Sequence, residues 1–243
     1  MPKHVICDID GCLIPPRGEM WDFAGLEKIA QLVNSGQVKL ALCSGRPPAF
    51  QEALARQLMV SSYCICENGA MLMNPLTKDT ILNPAVSKEY MQMRPTILAE
   101  LHKLVEGTSA VIEFGKEVLI SVNPPDKAVL PELYAAAQEV LQKAPVELLN
   151  SGRSVEVIPN GVTKEAGLAL WAEVEKVPVE FVTYIGDADN DLSVLQAAGT
   201  AAAPANATPA VRKIANYISP GYMVQGVIDI IQQIAAGTLP GLR

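Results

Sequence analysis

Asp8 and Asp10, in the run Cys7-Asp8-Ile9-Asp10-Gly11, stand one residue apart at the end of a short apolar stretch, His4-Val5-Ile6, where burial would favour more hydrophobe. Acids are costly in such a place, so the pair reads as chemistry rather than packing. Strand side chains alternate faces, so Asp8 can point one way while Asp10 curls back over the same mouth as the chain leaves the strand. Three further segments set polar residues where a strand would end: Ser44-Gly45-Arg46, Lys164 opening a helix, and Gly186-Asp187-Ala188-Asp189-Asn190-Asp191. Asp8, Asp10 and Asp187 at one rim would repel, by roughly 4 kcal/mol for two carboxylates about 4 Å apart at an effective dielectric of about 20. A bound cation relieves that repulsion, and a ligand set made only of oxygen suits a hard ion. Mg²⁺ commonly sits on one or two carboxylates, substrate phosphate and water, so magnesium is the expected cofactor.

The elements that must position these residues follow from periodicity. In the first third, strands 4–9, 38–43 and 62–66 alternate with helices 25–34 and 47–59. In the last third, helices 164–176, 191–198 and 224–236 alternate with strands 181–185 and 201–203. Strands separated by helices of ten or so residues imply parallel pairing, and ligands of open α/β sheets bind outside the carboxyl ends of the strands. All four polar segments can converge there. Ser44 lies just before a helix with Pro47 near its first turn, so its hydroxyl and the adjacent backbone N–H groups face the positive end of a helix dipole. Lys164 follows Thr163, a good N-cap, which leaves a cation where the dipole disfavours it unless an anion lies beside it.

Between the two thirds the pattern changes. Residues 110–114 and 117–122 flank Gly115-Lys116, a two-residue turn with Gly first, and helical stretches 87–105 and 131–143 with strands 146–149 and 154–158 complete an antiparallel α+β segment. The fold class is therefore α/β, a doubly wound, mainly parallel Rossmann-like core (1–80 and 159–243) interrupted by an inserted α+β cap (81–158).

Composition narrows the chemistry. A chain of 243 residues with 49% hydrophobic content can bury a sizeable core, and a net charge of −7 argues against nucleic acid or anionic membrane as partner. No apolar run is long enough for a membrane helix and no leader pattern opens the chain, so a soluble, cytoplasmic protein is expected. Only two histidines occur, His4 and His102, which leaves little for serine–histidine or cysteine–histidine mechanisms or for poly-histidine metal sites. The five cysteines, Cys7, Cys12, Cys43, Cys64 and Cys66, show no C-x-x-C spacing and read as small buried thiols. Carboxylates, a hydroxyl and a lysine remain.

Asp8-x-Asp10-Gly11, Ser44-Gly45-Arg46, Lys164 and Gly186-Asp187-x-x-Asn190-Asp191, in that order, resemble the four motifs of the haloacid dehalogenase-like (HAD) superfamily. The cap between the second and third motifs, with Glu67-Asn68-Gly69-Ala70, resembles the class IIB (Cof-type, sucrose-phosphate phosphatase-like) phosphatases, which include phosphoglycolate and trehalose-phosphate phosphatases. The resemblance implies a Mg²⁺-dependent phosphomonoester hydrolase acting on a small phosphorylated metabolite, such as phosphoglycolate or a sugar phosphate, through an aspartyl-phosphate. It implies Asp8 as nucleophile, Asp10 as general acid and base, and Lys164 as a catalytic cation. Asp8, the Asp10 backbone carbonyl and Asp187 would hold the metal, with Asp191 supporting it. Ser44 and Lys164, with Gly11 and Gly45, would bind the phosphoryl oxygens, Asn190 would steady them or Lys164, and Arg46 and Asn68 would contact substrate. Glu113, Lys116 and Arg153 of the cap are candidate selectors of the leaving group. Oligomeric state is not legible.

Plainer readings stand beside these. Asp189, Asp191 and Ser44 could cap helices, Lys164 and Arg46 could be solvated, and Asn68-Gly69 could be a simple turn. Met91 and Met93 fit core packing, and a redox switch between Cys7 and Cys43 is the less favoured reading of those thiols. Two alternative functions share the motifs: a phosphotransferase or phosphomutase, and a catalytically silent metabolite-binding protein.

Overall fold

The computed structural model describes residues 3–16 and 18–242. The chain divides into two compact units, Met1–Ile81 with Thr163–Arg243, and Leu82–Val162.

In the first unit β1 (Lys3–Asp8) pairs in parallel with β2 (Val38–Cys43) on one side and β10 (Val182–Ile185) on the other. Val5, Ile6 and Cys7 have no exposed surface, as a central parallel strand covered on both faces requires. β3 (Cys64–Cys66) continues the parallel sheet beyond β2, and β11 (Thr200–Ala203) and β12 (Tyr217–Ile218) continue it beyond β10. The order is β12-β11-β10-β1-β2-β3-β4-β5, with β4 (Met71–Met73) and β5 (Thr80–Leu82) at the far edge. β4 runs antiparallel to β3, Cys64 opposite Met73 and Cys66 opposite Met71. The sequence reading lacks this hairpin, because three-residue strands show no period. Its tight turn is made by Glu67, Asn68 and Gly69, all at positive φ.

Helices cross between the strands. α1 (Phe23–Asn34) starts at Asp22, whose carboxylate accepts from Gly25 N at 2.8 Å, and buries Leu26, Ile29 and Val33. α2 (Pro48–Gln57) links β2 to β3, and α5 (Lys164–Glu175), capped by Thr163 on Ala166 N, leads to β10. α6 (Leu192–Ala197), α7 (Pro209–Ile214) and α8 (Met223–Ala236) complete the unit. α8 buries Val227, Ile230, Ile231 and Ile234 along one stripe and ends at Gly237, φ 71°.

The second unit contains α3 (Lys88–Val105), α4 (Leu130–Val140) and a four-stranded antiparallel sheet. Its strands are β6 (Val111–Ile112), β7 (Ile120–Asn123), β8 (Val146–Asn150) and β9 (Val155–Pro159), in the order β6-β7-β9-β8. The expected two-residue turn at Gly115-Lys116 is not formed: Val111 faces Asn123, Ile112 faces Val122, Glu113 N donates to Ser121 O at 2.8 Å, and residues 114–119 bow out beyond them. The bow is held by α3. Tyr90 Oη donates to Val118 O at 2.6 Å, and Arg94 donates to Val118 O at 2.8 Å and Lys116 O at 2.7 Å. Met91 and Met93 are half-buried on α3.

Candidate active site

Sheet register brings the motif residues together. Cys7 lies opposite Ile185 on β10 and Asp8 opposite Cys43 on β2, so Asp8, Ser44 and Gly186-Asp187 emerge side by side at the carboxyl end of the sheet. Strand order runs both ways from β1, which makes this the topological switch point where open α/β sheets bind ligands.

Lys164 reaches the same place from the first turn of α5. Its docking needs two glycines: a Cβ on Gly69 would lie 2.0 Å from Thr163 O, and one on Gly167 would lie 2.7 Å from Gly69 Cα. The ammonium is buried, not solvated, and donates to Asp8 Oδ1 at 2.9 Å and Asp191 Oδ1 at 2.7 Å. Burial pulls the pKa of Lys164 down, but Asp191 and Asp8 more than offset it and hold the amine protonated. Asp191 Oδ1 also accepts from Tyr184 Oη at 2.9 Å, and Oδ2 faces the Asp187 and Ala188 amides at 3.2 and 3.3 Å. Asp191 therefore anchors Lys164 and the motif loop, and α6 has no side-chain cap. Asp189 is exposed and accepts from the Thr208 hydroxyl at 2.6 Å, so neither acid caps the helix that follows.

Asp187 stands against Gly11, where a Cβ would lie 2.2 Å from its Oδ2, and Gly11 has φ 86°. Gly11 is thus the clearance that admits Asp187. Asn206 bridges the two, donating to Gly11 O at 2.9 Å and standing 3.4 Å from Asp187 Oδ2, while its carbonyl accepts from Met223 N at 2.8 Å. Burial, then Asp191, pushes the Asp187 carboxyl up to about 6. Burial pushes Asp8 well above the usual carboxylate range against the pull of Lys164.

Ser44 Oγ accepts from Arg46 N at 3.2 Å, and the N-cap position of α2 belongs to Pro47, so Ser44 closes a small turn rather than capping the helix. The Ser44 amide donates to Ile65 O at 3.0 Å, so the Ser44 and Arg46 amides are used within the chain, unlike the amide cradle expected from the sequence. Gln51, fully buried, ties the loop down from below with Nε2 at 3.2 Å from Ser44 O, Arg46 O and Ile65 O. Asn68, φ 55°, packs against Gly45, where a Cβ would be 3.0 Å from its Oδ1, and its amide donates to Ser44 O at 3.1 Å. Asp10 leaves the other acids: both its oxygens are held by Arg46, Nε to Oδ2 at 2.9 Å and Nη2 to Oδ1 at 2.6 Å.

Asp8, Asp187 and Asp191 each place one oxygen so that all lie within 4.8 Å of one another. With every carboxyl ionised, three carboxylates there face one ammonium and Asp10 is paired with Arg46, a formal excess of two negative charges that burial opposes unless a cation is bound. A hard divalent cation fits this donor set and charge. Asp191, with both oxygens engaged, fits a supporting place better than direct ligation.

Other expectations fare differently. Asn190 is exposed on the turn before α6, and the Lys164 ammonium is held by Asp8 and Asp191. In the second unit Lys116 is buried on the Ser121 hydroxyl and 3.3 Å from Glu113, which ties both charges into the fold. Arg153 is exposed. All five cysteines are buried, and burial pushes Cys43 and Cys64 up to about 12 and raises Cys7 and Cys12. Cys12 Sγ lies 3.8 Å from Asp187 Oδ1. Tyr184, Gln51 and Asn206 were not foreseen. Asn206 carried the same signal as the others, a polar residue just past a strand end, whereas Gln51 carried none.

The fold and site define an α/β protein whose acids and lysine converge at the switch point of the sheet. The family model for haloacid dehalogenase-like hydrolases matches residues 5–105 and 126–231, and the chain belongs to that family. It is 31% identical over 233 residues to a phosphoglycolate phosphatase of Methanothermobacter thermautotrophicus, covering 95% of this chain and 98% of the relative. It is 26% identical over 230 residues to another from Methanococcoides burtonii, covering 95% of each. A haloacid dehalogenase-like hydrolase from Bacteroides thetaiotaomicron shares the fold at TM-score 0.77 and 20% identity, over 96% of this chain and all of that one. Among the described residues no helix is long and apolar enough to cross a membrane.

Proposed function

We propose that this chain is a Mg²⁺-dependent phosphomonoesterase that hydrolyses a small phosphorylated metabolite, phosphoglycolate or a sugar phosphate, through an aspartyl-phosphate on Asp8. The observation that carries the reading is the buried Lys164 ammonium on Asp8 Oδ1, beside Asp187 and Asp191. Asp8, Asp187 and the Asp10 carbonyl would hold Mg²⁺, with Asp191 behind them; the ion supplies positive charge that keeps Asp8 ionised and offsets charge on the phosphoryl oxygens.

In the first half-reaction Asp8 attacks phosphorus as the ester P–O bond breaks, and Asp10 gives its proton to the departing alkoxide. In the second, Asp10 takes a proton from water, the water oxygen bonds to phosphorus, and Asp8 leaves as carboxylate. Splitting hydrolysis this way replaces one difficult step by two easier ones. Lys164 and the Ser44 hydroxyl stand ready for charge on the phosphoryl oxygens, a positioning and electrostatic role fixed before substrate arrives. The relatives named as phosphoglycolate phosphatases favour a compact, anionic leaving group. A screen of some dozens of phosphate esters, ranked by kcat/KM with Mg²⁺ and without it, tests the reading. Metal-dependent release from small esters supports it, and no turnover across the panel contradicts it.

A further inference from the structure

Arg46 is anchored at every part of its length. Its amide donates to Ser44 Oγ at 3.2 Å, and its carbonyl accepts from the buried Gln51 amide at 3.2 Å. Its guanidinium lies over the Phe50 ring, 4.8 Å from the centroid, and Phe50 packs against Trp21 in a T-shaped pair with centroids 6.2 Å apart. From that seat the fork holds Oδ2 and Oδ1 of Asp10 at 2.9 and 2.6 Å. Asp10 itself sits where the chain turns away from β1 through Gly11 at positive φ. A planar fork fixes the plane of a carboxylate as a point charge cannot, and it occupies one lone-pair site on each oxygen, leaving another on each.

We propose that Arg46 is a positioning residue that sets the Asp10 carboxyl so that one pose serves both proton transfers, to the departing ester oxygen and from the attacking water; this rests on Asp10 being the acid and base of the proposed reaction. Arg46 then acts through Asp10 rather than as the substrate contact expected from the sequence. The signature is leaving-group dependence. An alkoxide needs the proton to depart, whereas a nitrophenolate does not, and kcat/KM reports the steps through phosphoryl transfer to Asp8.

The test compares an alkyl ester such as phosphoglycolate with p-nitrophenyl phosphate on the full chain with Mg²⁺. Arg46→Met should lower kcat/KM on the alkyl ester by about 10²-fold and on the aryl ester by only a few-fold, the scale of a displaced acid. Arg46→Lys, which keeps the charge and the stem, should lower the alkyl-to-aryl ratio by at least about fivefold. Equal losses on both esters, or a wild-type ratio in Arg46→Lys, overturn the proposal, and if melting shows that Arg46→Met does not fold, the lysine variant decides. Asp10→Asn separates the two ideas. If it spares the alkyl ester, the reading of Asp10 fails; if it selectively loses that ester while Arg46→Lys keeps the ratio, only the role of Arg46 fails.

Discussion

Mg²⁺ should raise the melting temperature of this protein, and by more near neutral pH than in mild acid. In the metal-free site Asp187 is pushed from 3.8 to about 6 by burial and by Asp191. A carboxyl whose folded pKa is raised contributes stability that is full below its unfolded value and is lost as pH rises through about 6. The two-unit rise corresponds to about 3 kcal/mol, reduced to about 2 kcal/mol by solvent screening of a partly exposed group. Asp8, raised by burial, acts in the same direction. A cation on these carboxylates removes the penalty, and at roughly 2–4 °C per kcal/mol for a chain of this size the gain is about 4–8 °C. The assay is thermal melting of chelator-treated protein with and without millimolar Mg²⁺, at about pH 7.5 and about pH 5. In acid the ion must displace the Asp187 proton, so the shift should shrink. No shift, or the same shift at both pH values, refutes the placement of the cation on Asp187.

Lys164→Met should destabilise the fold by about 3–5 kcal/mol in metal-free protein, because Asp8 and Asp191 are left buried without their cation; denaturant titration measures it. Asn206→Ala should weaken Mg²⁺ binding by about 10–100-fold through loss of the contact that orients Asp187, read by calorimetry, and unchanged affinity would show that Asn206 serves only the loop. Gly11→Ala should also weaken Mg²⁺ binding, since the new Cβ occupies the place of the Asp187 carboxylate.

The core was legible because its strands are apolar runs of four to six residues, β1, β2 and β10, set between amphipathic helices, and because polar residues past their ends break that pattern. What stayed hidden is short or is decided by distant residues. β4, β5 and β12 have two or three residues each, too few to show a period. The bowed segment 114–119 is held by Tyr90 and Arg94, more than twenty residues away, contacts that no local turn rule contains. In the site, residue types predicted which groups gather, but not how they pair: the turn of Asp10 onto Arg46 and the four donors around Asp191 are tertiary facts. Lys116 shows the same limit, since its ion pair with Glu113 and its seat on Ser121 are tertiary contacts that its place beside Gly115 does not reveal.

Acid quenching during turnover, followed by peptide mass analysis, tests the role of Asp8 directly. The account predicts one added phosphoryl group on the peptide bearing Asp8, labile to hydroxylamine and absent, with all phosphate release, in a folded Asp8→Asn protein. Steady turnover with that peptide unmodified, or with the phosphoryl group on Ser44, would contradict it.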